Sequence, residues 1–173
     1  MKWITSDLHF NHSGILKYQA NRRFSNVEEM NEGIISEWNS KVQKDDTIYH
    51  IGDFAFAGCN DIDTIAHRLN GNKVFIIGNH DDERLLAKHG KTSSYLEIDC
   101  EGVMACLFHF PISHWNKQSL GSYHFYGHTH GRFENHGRSL DVGFDAHGKI
   151  LSLKEAVERV KNKPIIPPLY LTK

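Results

Sequence analysis

Five short runs of β-branched, aromatic and other apolar residues occur along the chain, and each ends abruptly in polar residues. The run WITSDLH at 3–9 is followed by TIYHIGDF at 47–54 and KVFIIGNHD at 73–81. Two weaker runs come later, MACLFHF at 104–110 and SYHFYGHTH at 122–130. Buried strands have this pattern when they reach the edge of their sheet. We therefore predict five strands whose polar ends converge on one place.

A helical spacing of apolar residues lies between the first two strands. The stripe recurs at intervals of three and four, which is typical of one buried helix face, and comprises Val27, Met30, Ile34, Trp38 and Val42. It predicts a helix from Asn26 to about Val42, with Ser25 and Glu28 forming a capping box at its start.

Two shorter helices are predicted further along. One runs from about Ile62 to Leu69, with Asp61 as its cap and Gly71 just past its end, and the other covers residues 83–88. Strands and helices alternate in the first half, which favours parallel pairing through right-handed crossovers. The second half has short strands joined by tight turns, which favours antiparallel pairing. The fold class is therefore α/β or α+β, with mixed pairing.

The end of the chain combines a helix with an apolar tail. Ser152 and Glu155 form a capping box before the helical segment 153–163, and Pro164 stops it. No repeat or interdomain linker occurs, which predicts one domain over 1–163. The tail at 164–173, PIIPPLYLTK, cannot be helical and packs either on the body or on a partner subunit. We favour a strap across the body, because single domains usually bind their tails weakly.

Composition narrows the classes of function. The 173 residues include 20 Lys and Arg against 21 Asp and Glu, so no long-range field attracts nucleic acid or anionic lipid. No leader opens the chain and no apolar run approaches the roughly 18 residues of a membrane helix, so we expect a soluble, cytoplasmic protein.

Cys59, Cys100 and Cys106 lack paired spacing and should be free thiols in a reducing compartment. Thirteen histidines point instead to metal ligation or proton transfer.

Carboxylates and imidazoles at the predicted strand ends suit a pair of cations. Asp7 and His9 stand two positions apart, so in extended geometry they share a face and can chelate one ion. His128 and His130 repeat that spacing within GHTH. The sequence therefore offers two chelating pairs.

A third strand end supplies a candidate bridge between the two cations. A shared carboxylate offsets the repulsion between neighbouring cations, and we assign that role to Asp53, which follows Gly52 in a turn. Asn79 can give a carbonyl oxygen to the second ion, and His109 ends a later strand as a further ligand. His80, next to Asn79, would then lie beside the metals and is the candidate general acid.

These blocks, in the order D-x-H, GD, GNHD, H and GHTH, resemble the calcineurin-like metallophosphoesterases, and within them the small stand-alone enzymes of bacteria and phages. Their joint occurrence is far more specific than any one block. The resemblance implies a four-layer sandwich of two mixed β-sheets flanked by helices, with His80 as proton donor. It assigns the first metal to Asp7, His9, Asp53 and His130, and the second to Asp53, Asn79, His109 and His128.

The expected activity is hydrolysis of phosphate mono- or diesters, preferably small and nucleotide-like, by metal-activated hydroxide. Mn²⁺ is the favoured metal, and Fe, Ni²⁺ and Zn²⁺ suit the same oxygen and nitrogen donors. A DNA or RNA nuclease of the same fold is the alternative, although the neutral charge argues against a long duplex as substrate. A non-catalytic interaction scaffold is a second alternative, supported only by the apolar tail with Tyr170.

Several polar residues near these blocks have ambiguous roles. Asp81 either orients an imidazole or caps a helix, and Asp141 in LDVGFD is more acidic than the matching family position. Arg22 or Arg23 could clamp a substrate phosphate. We expect solvated surface positions for His12, His114, Arg132, Arg22 and Arg23.

Overall fold

The computed structural model describes residues 1–56 and 62–167 and contains two mixed sheets flanked by helices, as expected. In chain order the elements are β1 (Lys2–Thr5), α1 (Ile15–Tyr18), α2 (Val27–Lys41), β2 (Thr47–Ile51), α3 (Ile62–Arg68), β3 (Asn72–Ile76), α4 (Glu83–Leu86), β4 (Gly90–Ser93), β5 (Tyr95–Cys100), β6 (Val103–Phe108), β7 (Tyr123–Tyr126), β8 (Ser139–Asp141), α5 (Phe144–His147), β9 (Leu151–Ser152) and α6 (Leu153–Val160).

The first sheet has the strand order β4-β3-β2-β1-β9. Strands β1 to β4 pair in parallel, which confirms the pairing predicted for the first half of the chain. β9 adds to β1 in the antiparallel direction. β4 was not predicted, because its sequence GKTS has no apolar run.

The second sheet, in the order β5-β6-β7-β8, corrects the antiparallel pairing predicted for the second half. Only β5 and β6 are antiparallel, whereas β6 with β7 and β7 with β8 are parallel. The segments 109–122 and 127–138 join these parallel strands, and they are crossovers rather than tight turns. Parallel neighbours need such long connections.

The alternation of side chains along β2 places one core on each face of the first sheet. Ile48 belongs to a cluster with α2 and α3, whereas Tyr49 and Ile51 belong to a second cluster between the two sheets. α6 contributes Leu153, Ala156 and Val160 to the second cluster. The side chains of both cores hold the carboxyl ends of β1 and β2 side by side.

Several helix boundaries differ from the sequence predictions, and α3 and α4 end at Arg68 and Leu86 rather than at about residue 69 and at residue 88. Asn26, rather than Ser25, caps α2 by accepting a hydrogen bond from the Glu29 backbone N–H at 2.8 Å. Glu29 then accepts one from the Ser25 backbone N–H at 2.9 Å. The capping box of Ser152 and Glu155 is confirmed, but α6 ends at Val160. Residues 161–163 form a turn before Pro164, whose ring disfavours helical backbone at the preceding residue.

The described part of the tail, residues 164–167, lies against the second sheet's connections. An added Cβ at Gly137 would come within 2.8 Å of Ile166 Cγ1, so these residues are in close contact. Cys100 and Cys106 are buried free thiols. Within residues 1–56 and 62–167, none of the helices has the length and apolar character needed to cross a bilayer. Cys59, Asp61 and Tyr170, for which predictions were made, lie outside the described residues.

Candidate metal centre

The chain leaves β1 and β2 in parallel and carries Asp7, His9 and Asp53 past the strand ends. The Asp7 N–H donates to the Gly52 carbonyl, and the His9 N–H donates to the Asp53 carbonyl, both at 3.0 Å. All three residues have positive φ angles, 57°, 52° and 58° respectively. Non-glycine residues in this region cost about 1–3 kcal/mol each and persist where their surroundings fix them. Such strain is typical of functional sites.

The GHTH loop after β7 repeats this conformation, since His128 and His130 have φ angles of 69° and 51°. Asp141 holds the loop by accepting hydrogen bonds from Thr129 Oγ1 at 2.5 Å and the Gly131 N–H at 2.8 Å. Asp141 therefore anchors a loop of the site, a role that its acidity alone did not reveal. Gly127 is required there, because an added Cβ would lie 2.5 Å from Asp7 Oδ2.

Asp7, His9 and His130 form the first cluster of ligand atoms. Asp7 Oδ1 lies 4.0 Å from His9 Nε2 and 3.9 Å from His130 Nε2. One donor atom from each residue lies within 4.8 Å of the others, a spacing that could hold a metal ion. His130 donates through Nδ1 to Asp145 Oδ2 at 2.7 Å, which leaves Nε2 facing the cluster.

Asp53, His109 and His128 form the second cluster, with the same 4.8 Å limit between donor atoms. His109 Nδ1 bonds to the Ile51 carbonyl at 2.8 Å, and its Nε2 lies 3.2 Å from Asn79 Oδ1. Asn79 therefore reaches the second cluster. Gly52 makes room for this histidine, because an added Cβ would lie 2.3 Å from His109 Nδ1.

A single oxygen of Asp53 connects the two clusters. Asp53 Oδ2 lies 3.6 Å from His9 Nε2 and 3.5 Å from His109 Nε2. The other oxygen, Oδ1, accepts a hydrogen bond from the His80 backbone N–H at 3.0 Å. The position of Asp53 is thus suited to a bridging carboxylate, and its partner His80 is held beside both clusters.

The unusual pKa values follow from burial of so many polar groups. Burial raises the pKa of Asp7 to about 7, although His130 and His109 partly oppose it. Burial lowers the pKa of His9 to about 2, so its imidazole is neutral. Burial alone would raise the pKa of Asp53, but the hydrogen bonds from His109 and the His80 backbone, together with the charges of His109 and His9, outweigh it, so this pKa lies below the ordinary value.

The buried donor atoms fit a divalent cation. His9 Nε2 is buried and has no hydrogen-bond partner among the described residues. A buried polar atom without a partner costs about 1–3 kcal/mol. A cation within the first cluster would satisfy this nitrogen and neutralise the buried Asp7 carboxylate.

Asp145 and Arg22 support the first cluster and were not recognised in that role from the sequence. Arg22 is 5% exposed and bonds both oxygens of Asp145, at 2.7 and 3.0 Å. It also donates to the Leu8 carbonyl at 2.7 Å and to the Asp7 carbonyl. Arg22 is thus neither a solvated residue nor a phosphate clamp. These contacts span 14 to 123 residues, so no local pattern signals them.

Among the remaining residues with ambiguous roles, Asp81 and His12 contact candidate ligands, and His114 is exposed. Asp81 binds the backbone N–H groups of Asp53 and Phe54 at 2.8 and 2.7 Å, whereas the cap of α4 is Asp82. His12 is half-buried with its Nδ1 3.3 Å from His9 Nδ1, so the prediction of a solvated surface position is wrong. His114 is exposed, as predicted.

Arg23 and Arg132 are exposed, as predicted. Arg132 donates to the Tyr18 carbonyl and to Gln19 Oε1.

Comparison with curated proteins finds relatives over nearly the whole chain. The uncharacterized protein MJ1445 of Methanocaldococcus jannaschii is 36% identical over 165 residues, covering 94% of this chain and 85% of that protein. The Gene 66 protein of Mycobacterium phage L5 is 26% identical over 197 residues, covering 92% and 94%. No family model matches the sequence.

Among solved structures, a protein of unknown function from Aquifex aeolicus, AQ665, has a similar fold. The overlay has a TM-score of 0.72 and covers 92% of this chain and 99% of that one, at 20% sequence identity. This likeness concerns the arrangement of the sheets and helices.

Proposed function

We propose that the chain, which belongs to the same protein family as the uncharacterized protein MJ1445, is a metal-dependent phosphoesterase. The observation that carries the proposal is the position of Asp53 Oδ2 between two histidine nitrogens of separate clusters, at 3.6 and 3.5 Å. Two cations that share a carboxylate are the usual arrangement for in-line displacement at phosphorus.

The candidate ligands form two proposed sets, one for each cation, and both sets include Asp53. Asp7, His9 and His130 would hold one cation with Asp53, and Asn79, His109 and His128 would hold the other with it. Mixed oxygen and nitrogen donors suit Mn²⁺, with Fe, Ni²⁺ and Zn²⁺ as alternatives. When bound, two such cations would lower the pKa of water and neutralise the charge of the phosphate oxygens.

The residues of the chain itself would orient the ester and move one proton. Water adds its oxygen to phosphorus, the P–O bond to the leaving group breaks, and the leaving oxygen takes a proton. His80 is suited to donate that proton, because its backbone N–H is tied to Asp53 and its ring centre lies 5.4 Å from that of His9. One water and one ester then give one alcohol and one phosphate or phosphate monoester, and the proton released by the water replaces the one that His80 donates.

The buried charges argue against a purely structural scaffold. Such a protein would gain nothing from burying Asp7 and Asp53, which are 0% and 1% exposed, beside an imidazole nitrogen that has no hydrogen-bond partner in the described part of the chain. A nuclease would share the centre, but the near-neutral charge provides little attraction for a long polyanion. Small mono- or diesters are therefore the proposed substrates.

A metal-dependent assay tests the proposal. We expect bis-p-nitrophenyl phosphate or p-nitrophenyl phosphate to be hydrolysed with Mn²⁺, Ni²⁺ or Zn²⁺, and not with a chelator. Asp53→Asn should lose turnover together with bound metal, because both sites lose a ligand. Bound metal should also raise Tm of the wild-type protein, since a ligand of the folded state stabilises it. Absence of release under every metal, or a fully active Asp53→Asn protein, would overturn the proposal.

A further inference from the structure

Two exposed phenylalanine rings border the proposed metal centre. Phe56 follows Asp53 by three residues and Phe110 follows His109 directly, and they are 44% and 37% exposed. Such exposure is not general among the phenylalanines of the protein, since four others have no exposed surface: Phe10, Phe54, Phe75 and Phe125. Exposed aromatic side chains beside a polar site are characteristic of binding surfaces.

Phe56 lies against the side of the centre that holds His80. Its ring centre is 4.5 Å from that of His12 and 5.9 Å from that of His80, with interplanar angles of 32° and 30°. Its backbone N–H donates to the Phe10 carbonyl at 3.2 Å. The ring is therefore placed by a fixed backbone next to the candidate acid, while much of its surface faces solvent.

Phe110 lies against the second cluster of ligand atoms. Its ring centre is 4.6 Å from that of His128 and 4.9 Å from that of His109. On another side it contacts Phe108, with ring centres 5.8 Å apart. These neighbours hold the ring while leaving part of it exposed beside His128, which is itself exposed.

We propose that Phe56 and Phe110 form an aromatic subsite that stacks on a nucleobase of the substrate, so that the preferred esters are nucleotide derivatives. The inference rests on the proposed phosphoesterase function. Aromatic rings stack on any base, because every base has a π-face, and this recognition requires no basic groove. It suits a chain with 20 basic and 21 acidic residues, in which the phosphate would be recognised by the metals and the base by stacking.

A matched pair of esters tests the subsite. Thymidine 5′-(p-nitrophenyl phosphate) and its abasic counterpart, with hydrogen in place of the base, release the same leaving group and differ only in the base. The ratio of their kcat/KM values is measured for the manganese-loaded wild type, Phe56→Leu and Phe110→Leu. Leucine keeps an apolar side chain and removes the π-face. Phe133→Leu is the control, because Phe133 is 51% exposed but lines, with Glu134 and Lys163, a cavity whose lining includes neither Phe56 nor Phe110.

We expect the wild type to prefer the thymidine ester and either variant at the subsite to reduce that preference about tenfold, since a stacked base contributes roughly one such factor or more. Phe133→Leu should keep the wild-type ratio. Calorimetric titration with thymidine 5′-monophosphate and its abasic analogue should show the same loss in affinity.

Two outcomes would overturn the inference while leaving the proposed function intact. One is a wild-type enzyme that hydrolyses both esters with equal kcat/KM. The other is a pair of phenylalanine variants that slow both esters equally, which would indicate that the rings only position the histidines. Hydrolysis of neither ester would also overturn the inference, and would overturn the proposed function as well if bis-p-nitrophenyl phosphate and p-nitrophenyl phosphate were not hydrolysed with any metal either.

Discussion

At opposite edges of the first sheet, one where its parallel strands begin and one where they end, two aspartates have pKa values that are shifted in opposite directions. Asp46, before β2, accepts hydrogen bonds from the Met1 ammonium, the Gln43 N–H at 3.0 Å and the Trp3 indole at 2.9 Å. These donors, led by the ammonium, lower its pKa to about 2. At the other edge, burial raises the pKa of Asp7 to about 7.

This difference separates a carboxylate that stabilises the fold from one that costs stability. Asp46 has a donor for each oxygen, so its charged form is favoured in the folded state. Among the described residues, Asp7 accepts a hydrogen bond only from the His128 N–H, at 3.0 Å from each oxygen, in a wholly buried position. The edge that holds the proposed metal centre is therefore less stable on its own, as sites prepared to bind a ligand often are.

Asp7→Asn should have the largest effect on activity, and it should change activity and metal-free stability in opposite directions. We expect kcat/KM to fall by about a thousandfold or more, because a metal ligand contributes several kcal/mol to transition-state stabilisation. The metal-free variant should nevertheless have a higher Tm than the metal-free wild type at pH 8. Activity, metal content and thermal unfolding of the two proteins provide the measurement.

The pH dependence of Asp7→Asn follows from the direction of the shift. The ordinary pKa of 3.8 is raised to about 7 in the folded protein, so wild-type stability falls as pH rises through this interval. The advantage of the metal-free variant should therefore be present at pH 8 and disappear towards pH 4. A variant that is less stable than wild type at pH 8 would contradict the comparison.

The edge that carries the candidate ligands was predictable from the sequence because its signals are local. Each apolar run ends next to its polar residues, and parallel strands bring their carboxyl ends to one edge, so Asp7 and Asp53 had to be neighbours. The structure brings all seven candidate ligands into the two clusters and the Asn79 contact. Their role as ligands stays a prediction.

The parts that sequence reasoning missed depend on distant contacts. Arg22 and Asp145 are 123 residues apart in the sequence. Neither lies in a repeating pattern of apolar residues from which its position could be predicted. β9 has two residues and β4 has no apolar run, so neither carries a strand pattern. The direction of β7 relative to β6 depends on the path of segment 109–122, which an alternating pattern does not specify.

His80→Ala should lower kcat by about a hundredfold while leaving the metal content unchanged, because a general acid contributes roughly that factor and its ring is not a proposed ligand. The contacts of His80 with Asp53 involve the backbone N–H, which alanine keeps. His114→Ala, at an exposed histidine, is the control. Loss of metal from His80→Ala would instead make His80 part of the metal-binding edge.

Asp145→Asn should weaken metal binding about tenfold, because partners of a ligand histidine typically change affinity by that order. The asparagine cannot offer a charged acceptor to His130 and Arg22 together. Chelator competition measures the affinity. Asp63→Asn is a matched control, since Asp63 also bonds a histidine, His89, at 2.7 Å. Equal losses in both variants would indicate general destabilisation rather than positioning of His130.

Asp46→Asn should have the smallest effect on function and reverse the pattern of Asp7→Asn. We expect wild-type activity and metal content, together with a lower Tm, because the variant loses the charge that accepts three hydrogen bonds. The folded-state pKa of about 2 lies below the ordinary 3.8, so this stabilisation is complete above about pH 4 and lost as pH falls through 2. The Tm difference between metal-free wild type and variant should thus be constant from pH 7 to 5 and shrink on further acidification. A difference that grows below pH 4, or an inactive variant, would show that the two edges are not independent.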